Sequence, residues 1–174
     1  MSTSSANVSV LVGKKFACLK ISGRANFTTS PDFKTLLNEL VQKGCGHFII
    51  DLSECVLMDS TFLGVLAGFG MKLNPQGAPA ERGIELLNAN PRVAELLENL
   101  GALQLFKVVT GALQLPEDVT VCTPESTHPT HEEITRTCLE AHQTLMKVSP
   151  ENAARFKDVT RFLAEDLKSL DKCF

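Results

Sequence analysis

At 174 residues, with 17 Lys and Arg against 20 Asp and Glu, the chain carries a formal net charge of −3. An apolar share of 44% and a charged share of 21% suit one globular domain with an extension and exclude a large multidomain enzyme. The net charge and the lack of a Lys/Arg run argue against tight nonspecific adhesion to nucleic acid, which depends on clustered cations neutralising phosphates; no stretch approaches the roughly 20 continuous apolar residues of a membrane span.

The first pattern is Val8, Val10 and Val12 at period two, then Gly13-Lys14-Lys15 and the run Phe16 to Ile21. It predicts a hairpin of two strands. Ser30-Pro31-Asp32 reads as an N-cap, a proline at the first helical position and a first-turn acid. Phe33, Leu36, Leu37, Leu40 and Val41 follow at helical spacing, and Gly44 closes the helix. His47 to Leu52 is short and apolar on both faces, as in a central parallel strand covered by helices. From Ser60, the run TFLGVLAGFGMKL is apolar almost all round and carries Gly64, Gly68 and Gly70. Such a helix is stable only when buried, with its glycines allowing close approach to a sheet.

A turn-rich stretch, Asn74 to Gly83, leads to a strand at Ile84 to Leu87. Asn90-Pro91 opens a helix through Val93, Leu96, Leu97 and Leu100, which Gly101 ends, and Leu105 to Val109 and Val119 to Cys122 are further strands. The order predicts an α/β fold, a mixed sheet with helices packed against it. After Cys122 the composition changes: Thr123 to His131 holds two prolines and no large apolar residue, and reads as a linker. Ile134, Cys138, Ala141 and Leu145 then form one helical stripe, and Phe156, Val159, Leu163, Leu167 and Leu170 another, with Ser149-Pro150-Glu151 restarting the helix. Two helices, His131–Lys147 and Pro150–Leu170, thus form a C-terminal hairpin. Its apolar face either packs on the chain's own domain or makes a homodimer or partner surface. The expected division is a domain at 6–123 and a linker with helical extension at 124–174.

Cys18, Cys45, Cys55, Cys122, Cys138 and Cys173 lie far apart, with no CxxC pair and no His at ligand spacing. No metal and no cofactor is called for. The start MSTSSANVSV lacks the apolar core of a signal peptide, so the expectation is a cytoplasmic protein with free, packed thiols.

The most informative stretch is Asp51-Leu52-Ser53-Glu54-Cys55-Val56-Leu57-Met58-Asp59-Ser60-Thr61-Phe62-Leu63-Gly64. It sets a hydroxyl at the start of a buried helix, after a central strand and a short loop. On its residues alone, Ser60 reads as the helix cap, accepting from a backbone N–H near Leu63. No Gly-x-Ser-x-Gly elbow surrounds it, and none of His47, His128, His131 or His142 is placed beside it by the sequence. A serine hydrolase therefore lacks its base.

The same stretch resembles the signature of the STAS domain, the fold of bacterial anti-sigma factor antagonists: an apolar strand ending in Asp-Leu-Ser, a loop, then Met-Asp-Ser-Ser/Thr-Gly-Leu-Gly. Ile49 to Ser53 match the first part, and Met58, Asp59, Ser60, Thr61, Leu63 and Gly64 the second. Phe62 departs from it, standing where the pattern has glycine; the ring either fills the core or protrudes beside Ser60 as an anchor for a partner. The resemblance covers about residues 6–123 and implies a non-enzymatic partner switch in signalling to transcription. In it, Ser60 is phosphorylated by a serine kinase that is itself the anti-sigma factor, a phosphatase restores the free form, and Asp59, Ser60, Thr61 and Phe62 form the partner surface. A phosphate adds about −1.5 to −2 charges, which a helix N-terminus tolerates and a partner surface beside Asp59 does not. The alternative is a sensor or scaffold module that binds a small ligand such as a nucleotide, with Ser60 only a cap.

Overall fold

A computed structural model describes residues 6–74, 82–115 and 119–171. Strands β1 (Asn7–Val12) and β2 (Phe16–Ala25) form the expected hairpin and lead into α1 (Ser30–Gln42). Then come β3 (His47–Met58), α2 (Ser60–Leu73), β4 (Gly83–Leu87) and α3 (Pro91–Asn99), followed by a 3-10 turn at Leu103–Leu105, β5 (Lys107–Val109) and β6 (Thr120–Cys122). Helices α4 (His131–Val148) and α5 (Pro150–Asp171) end the described chain. The strands form one mixed sheet in the order β5-β4-β3-β2-β1-β6. β3 is central and parallel to both β2 and β4, whereas β1 runs antiparallel to β2 and β6. Most of the turn-rich stretch between α2 and β4, residues 75–81, lies outside the described residues, as do Cys173 and the first five residues.

Alternation along β3 sorts its side chains. Phe48, Ile50 and Leu52 are fully buried in the main core with Phe33 and Leu37 of α1, Phe62, Leu63 and Leu66 of α2, Val93 and Leu97 of α3, and Ala141 and Leu145 of α4. On the other face Ile49 joins Cys18 and Leu87 in a small cluster backed by Leu11, Val109 and Leu115, none of them helical. These residues lie side by side across the one sheet, with only Leu115 coming from outside its strands, so the expected helical cover is not found in this cluster.

Three local expectations are corrected. Thr29, not Ser30, is the residue before α1; Ser30 is the first helical residue, buried, and its hydroxyl donates to the Asn26 carbonyl at 3.0 Å. The turn made by Asn26, which also accepts from the Thr29 hydroxyl, moves the boundary by one residue. At the far end, Gly44 at φ +102° closes α1 as expected of a glycine in the left-handed region. Second, no loop separates Leu52 from the motif helix. β3 continues to Met58, opposite Ala25 of β2, and takes up one extra residue at each of two register shifts that keep the strands paired past Lys20. Third, the expected α5 stripe is only partly covered: Leu167 is buried, but Val159 and neighbouring Phe162 are 40% and 58% exposed. That helix rests on α4 along one side.

Candidate functional site

The paired ends of β2 and β3 bring the start of α1 and the start of α2 side by side, and Asp59 ties them together. It is extended (φ −99°, ψ 173°) and is the true N-cap of α2, its Oδ1 accepting from the Phe62 N–H at 2.9 Å. Its Oδ2 accepts from the Phe27 N–H at 2.7 Å, and its own N–H donates to the Ala25 carbonyl at 3.0 Å. Burial pushes this carboxyl above its ordinary value, against the downward pull of the N–H groups of Phe62 and Phe27. The reading of Ser60 as the cap is therefore moved by one residue: an aspartate preceding a serine competes for the same N–H, and the longer carboxylate arm holds both segments.

Ser60 is the first helical residue, half-buried, and its hydroxyl is committed elsewhere. Its Oγ lies 2.9 Å from Nε2 of His142, on α4, whose Nδ1 is 2.7 Å from the Cys138 carbonyl. A carbonyl only accepts, so Nδ1 carries a proton, and in the neutral ring Nε2 presents a lone pair to the serine, which then donates. His142 is 6% exposed and meets the Phe156 ring edge-on at 4.9 Å. The sequence placed no histidine beside Ser60; the fold brings one there from 82 residues away. One signal for it was present: His142 falls four residues after Cys138 on the apolar face of its helix.

Thr61 and Phe62 do not sit on an open surface. Thr61 is 4% exposed and its hydroxyl donates to Cys138 Sγ at 3.6 Å. Phe62 is fully buried and stacks on Phe33 with ring centroids 4.4 Å apart. Of the two fates open to Phe62 the core-filling one holds, and Thr61, expected on the partner surface with it, is likewise a core residue, because the helix turns these side chains toward α1 and α4. The exposed apolar residues at this end are instead Phe27 and Val56, at 47% and 52% exposure. The glycines also have a different neighbour from the one expected: a Cβ at Gly64 would lie 2.5 Å from the Ala141 carbonyl oxygen, so the close approach is to α4, not to the sheet.

Two hollows flank the site. A cleft of about 210 Å³ between α1, α2 and α4, lined by Lys34, Lys72, Gly64, Gly68 and Thr144 among others, is smaller than the roughly 300–1,000 Å³ of small-molecule sites. A groove of about 800 Å³ between the linker and α1 is lined by Asp32, Glu39 and Glu125 and by no Lys or Arg among the described residues. The groove thus offers a phosphate no cation. Four of the described cysteines, Cys18, Cys45, Cys55 and Cys138, are buried free thiols, and Cys122 is exposed. Burial, reinforced by Asp51, pushes the Cys18 thiol up to about 11. None of the described helices is long and apolar enough to cross a membrane.

The family model of the STAS domain matches residues 7–113. The chain belongs to the STAS domain family. Among curated relatives of this STAS protein, the anti-sigma-B factor antagonist of Staphylococcus aureus (strain NCTC 8325 / PS 47) is 27% identical over 105 residues, 60% of this chain and 94% of that protein. The anti-sigma F factor antagonist of Paenibacillus polymyxa is 29% identical over 92 residues, 52% and 73% of the two chains. A solved anti-sigma factor antagonist from Mycobacterium paratuberculosis superposes with a TM-score of 0.51 at 20% identity over 59% of this chain and 84% of that one. The antagonist SpoIIAA in its unphosphorylated form gives 0.50 at 18% identity over 59% and 88%. These two structures share the fold. The family match stops before β6 and the α4–α5 hairpin.

Proposed function

We propose that this STAS protein is an anti-sigma factor antagonist working by a partner switch, with Ser60 as the residue modified. In this reading the unphosphorylated chain binds a serine kinase that is also the anti-sigma factor. The kinase passes the γ-phosphoryl group of ATP to Ser60 Oγ, releasing ADP, and a phosphatase hydrolyses the ester to reset the switch. Residues 6–123 carry the switch and 124–174 form its linker and helical extension. The observation that carries the reading is the family signature laid out in space: β3 runs directly into Asp59, which caps α2, and Ser60 occupies the first turn.

The chemistry supports it. A dianion at the first turn of α2 meets the positive end of the helix and leaves the fold intact. At an interface the same charge adds to that of Asp59 and must be desolvated, which costs a partner several kcal/mol. Phe27 and Val56, exposed at the same end of the sheet, are apolar anchors of the kind interfaces use. Calorimetric titration of the full chain against candidate serine kinase/anti-sigma factors tests the proposal. Wild type should bind, and Ser60→Asp and stoichiometrically phosphorylated chain should bind at least about tenfold more weakly; equal affinity of all three overturns it.

A further inference from the structure

The hairpin that follows the family-matched region lies over the residue on which the switch depends. We propose that α4 and α5 are a built-in cover of Ser60, seated on α2 in this structure and displaced before a kinase reaches the hydroxyl. This rests on the reading of Ser60 as the phosphate acceptor.

Three observations combine. First, direction: Ser60 Oγ points at Nε2 of a buried imidazole, which is itself held by the Cys138 carbonyl and the Phe156 ring. For transfer, Oγ must face the γ-phosphorus at roughly 3 Å with the departing ADP oxygen in line behind it. On the side to which the hydroxyl points, the His142 ring of α4 takes that place. As the Oγ–P bond forms and the bond from phosphorus to the bridging oxygen breaks, the hydroxyl proton passes to the kinase's base, a role His142 cannot share once it has moved away with the hairpin.

Second, the seat is shaped for its occupant. Gly64 and Gly68 leave a smooth track on α2; a Cβ at the first would be 2.7 Å from Ala141 Cβ, and at the second 3.8 Å from the Thr144 side chain. Of the two, Gly64 must be glycine for α4 to sit where it does, whereas a Cβ at Gly68 would make ordinary contact. Third, the cover is fastened at a few points. Besides the apolar seat of Ala141 and Leu145 and the contacts of α4 with Ser60 and Thr61, Lys34 pairs with Glu140 in an exposed ion pair, and Asn152 and Arg155 donate to the Leu100 and Asn99 carbonyls, both at 2.9 Å. No strand of the sheet includes a hairpin residue. The cover can leave without breaking a ladder hydrogen bond.

The test uses the full chain and the thiol of Cys138, on the inner face of the cover against Thr61 of α2, with Cys18 in the sheet as internal reference. Iodoacetamide labelling mapped by mass spectrometry should modify Cys138 faster than Cys18 in the wild type. Gly64→Ala, which wedges α4 off α2, should speed Cys138 at least tenfold and leave Cys18 unchanged. A Gly68→Cys/Thr144→Cys pair, oxidised to fasten the cover, should slow Cys138 at least tenfold, with recovery on reduction. With ATP and the serine kinase that binds in the calorimetric test, the oxidised pair should accept phosphate at Ser60 at least tenfold more slowly than the reduced one. The proposal is overturned if Cys138 reacts no faster than Cys18 in both wild type and Gly64→Ala, or if the fastened chain is phosphorylated as fast as the released one. Labelling as expected with no phosphate on Ser60 in any form sinks the acceptor reading instead, and leaves the opening of the hairpin established.

Discussion

The two sides of the Ser60–His142 contact belong to regions held together in different ways. On the serine side, β3 is hydrogen-bonded along both edges and α2 is buried on nearly every face, with Phe62 locked against Phe33. On the histidine side, α4 meets the rest of the molecule through one stripe, and α5 keeps Val159 and Phe162 in solvent. A hydroxyl on a rigid scaffold is thus oriented by a partner on a detachable one, so its orientation is only as persistent as the weaker region.

The largest expected effect breaks both regions together. Phe62→Ala removes a fully buried ring from the junction of α1 and α2, at a cost of about 3–5 kcal/mol. Urea denaturation should show one transition at a much lower midpoint, with protection lost throughout the sheet.

Leu145→Ala separates the regions. Leu145 is fully buried, but on the hairpin side, and about 2–4 kcal/mol should be lost from docking alone. Amide exchange should quicken across α4 and α5 while β2, β3 and β4 keep their rates. Equal loss in the sheet would show that the hairpin is an integral part of the core, and the contrast drawn above would fail.

Ser60→Ala sharpens the contrast at a single bond. Asp59 keeps the cap, so the loss is not that of a capping residue; it is the desolvated Nε2 of His142 left without a donor, about 1–2 kcal/mol, felt as easier hairpin opening. Adding His142→Ala should cost less than the sum of the two single changes, and a double-mutant cycle on exchange rates reads the coupling. Additive costs would mean that the contact contributes nothing.

The smallest effect is a pH slope. Asp59 titrates above its ordinary value in the folded chain, so the folded state takes up this proton before the unfolded state does. Its contribution to stability is full below the unfolded carboxyl value and is lost as pH rises through the raised folded value. Urea titrations across that acidic window should show wild type gaining on Asp59→Asn as pH falls. The opposite slope would mean that the N–H groups of Phe27 and Phe62 outweigh burial.

Much of the fold was legible because it rests on local patterns. Period-two valines, the doubly apolar run at His47–Leu52 and the Asn90-Pro91 start each specify their element within a few residues. Boundaries were less so: Ser30 and Ser60 both read as caps and both lie one residue inside their helices, since a neighbouring carbonyl or carboxylate took the position. The extra length of β3 was hidden because residues 53–57 hold two register shifts, which break the alternation of the strand that contains them.

The sequence by itself determined the class of the fold, the central strand, the family signature around Ser60 and the existence of two amphipathic helices beyond the linker. These depend on periodicity, turn chemistry and a contiguous motif. Only the tertiary structure decided what those helices cover. Whether Phe62 points inward, why Gly64 is glycine and which group Ser60 donates to are all set by residues far along the chain. Ala141 and His142 are brought to α2 by the packing of one helix face on another, and side-chain contacts of that range leave no spacing in the sequence to read.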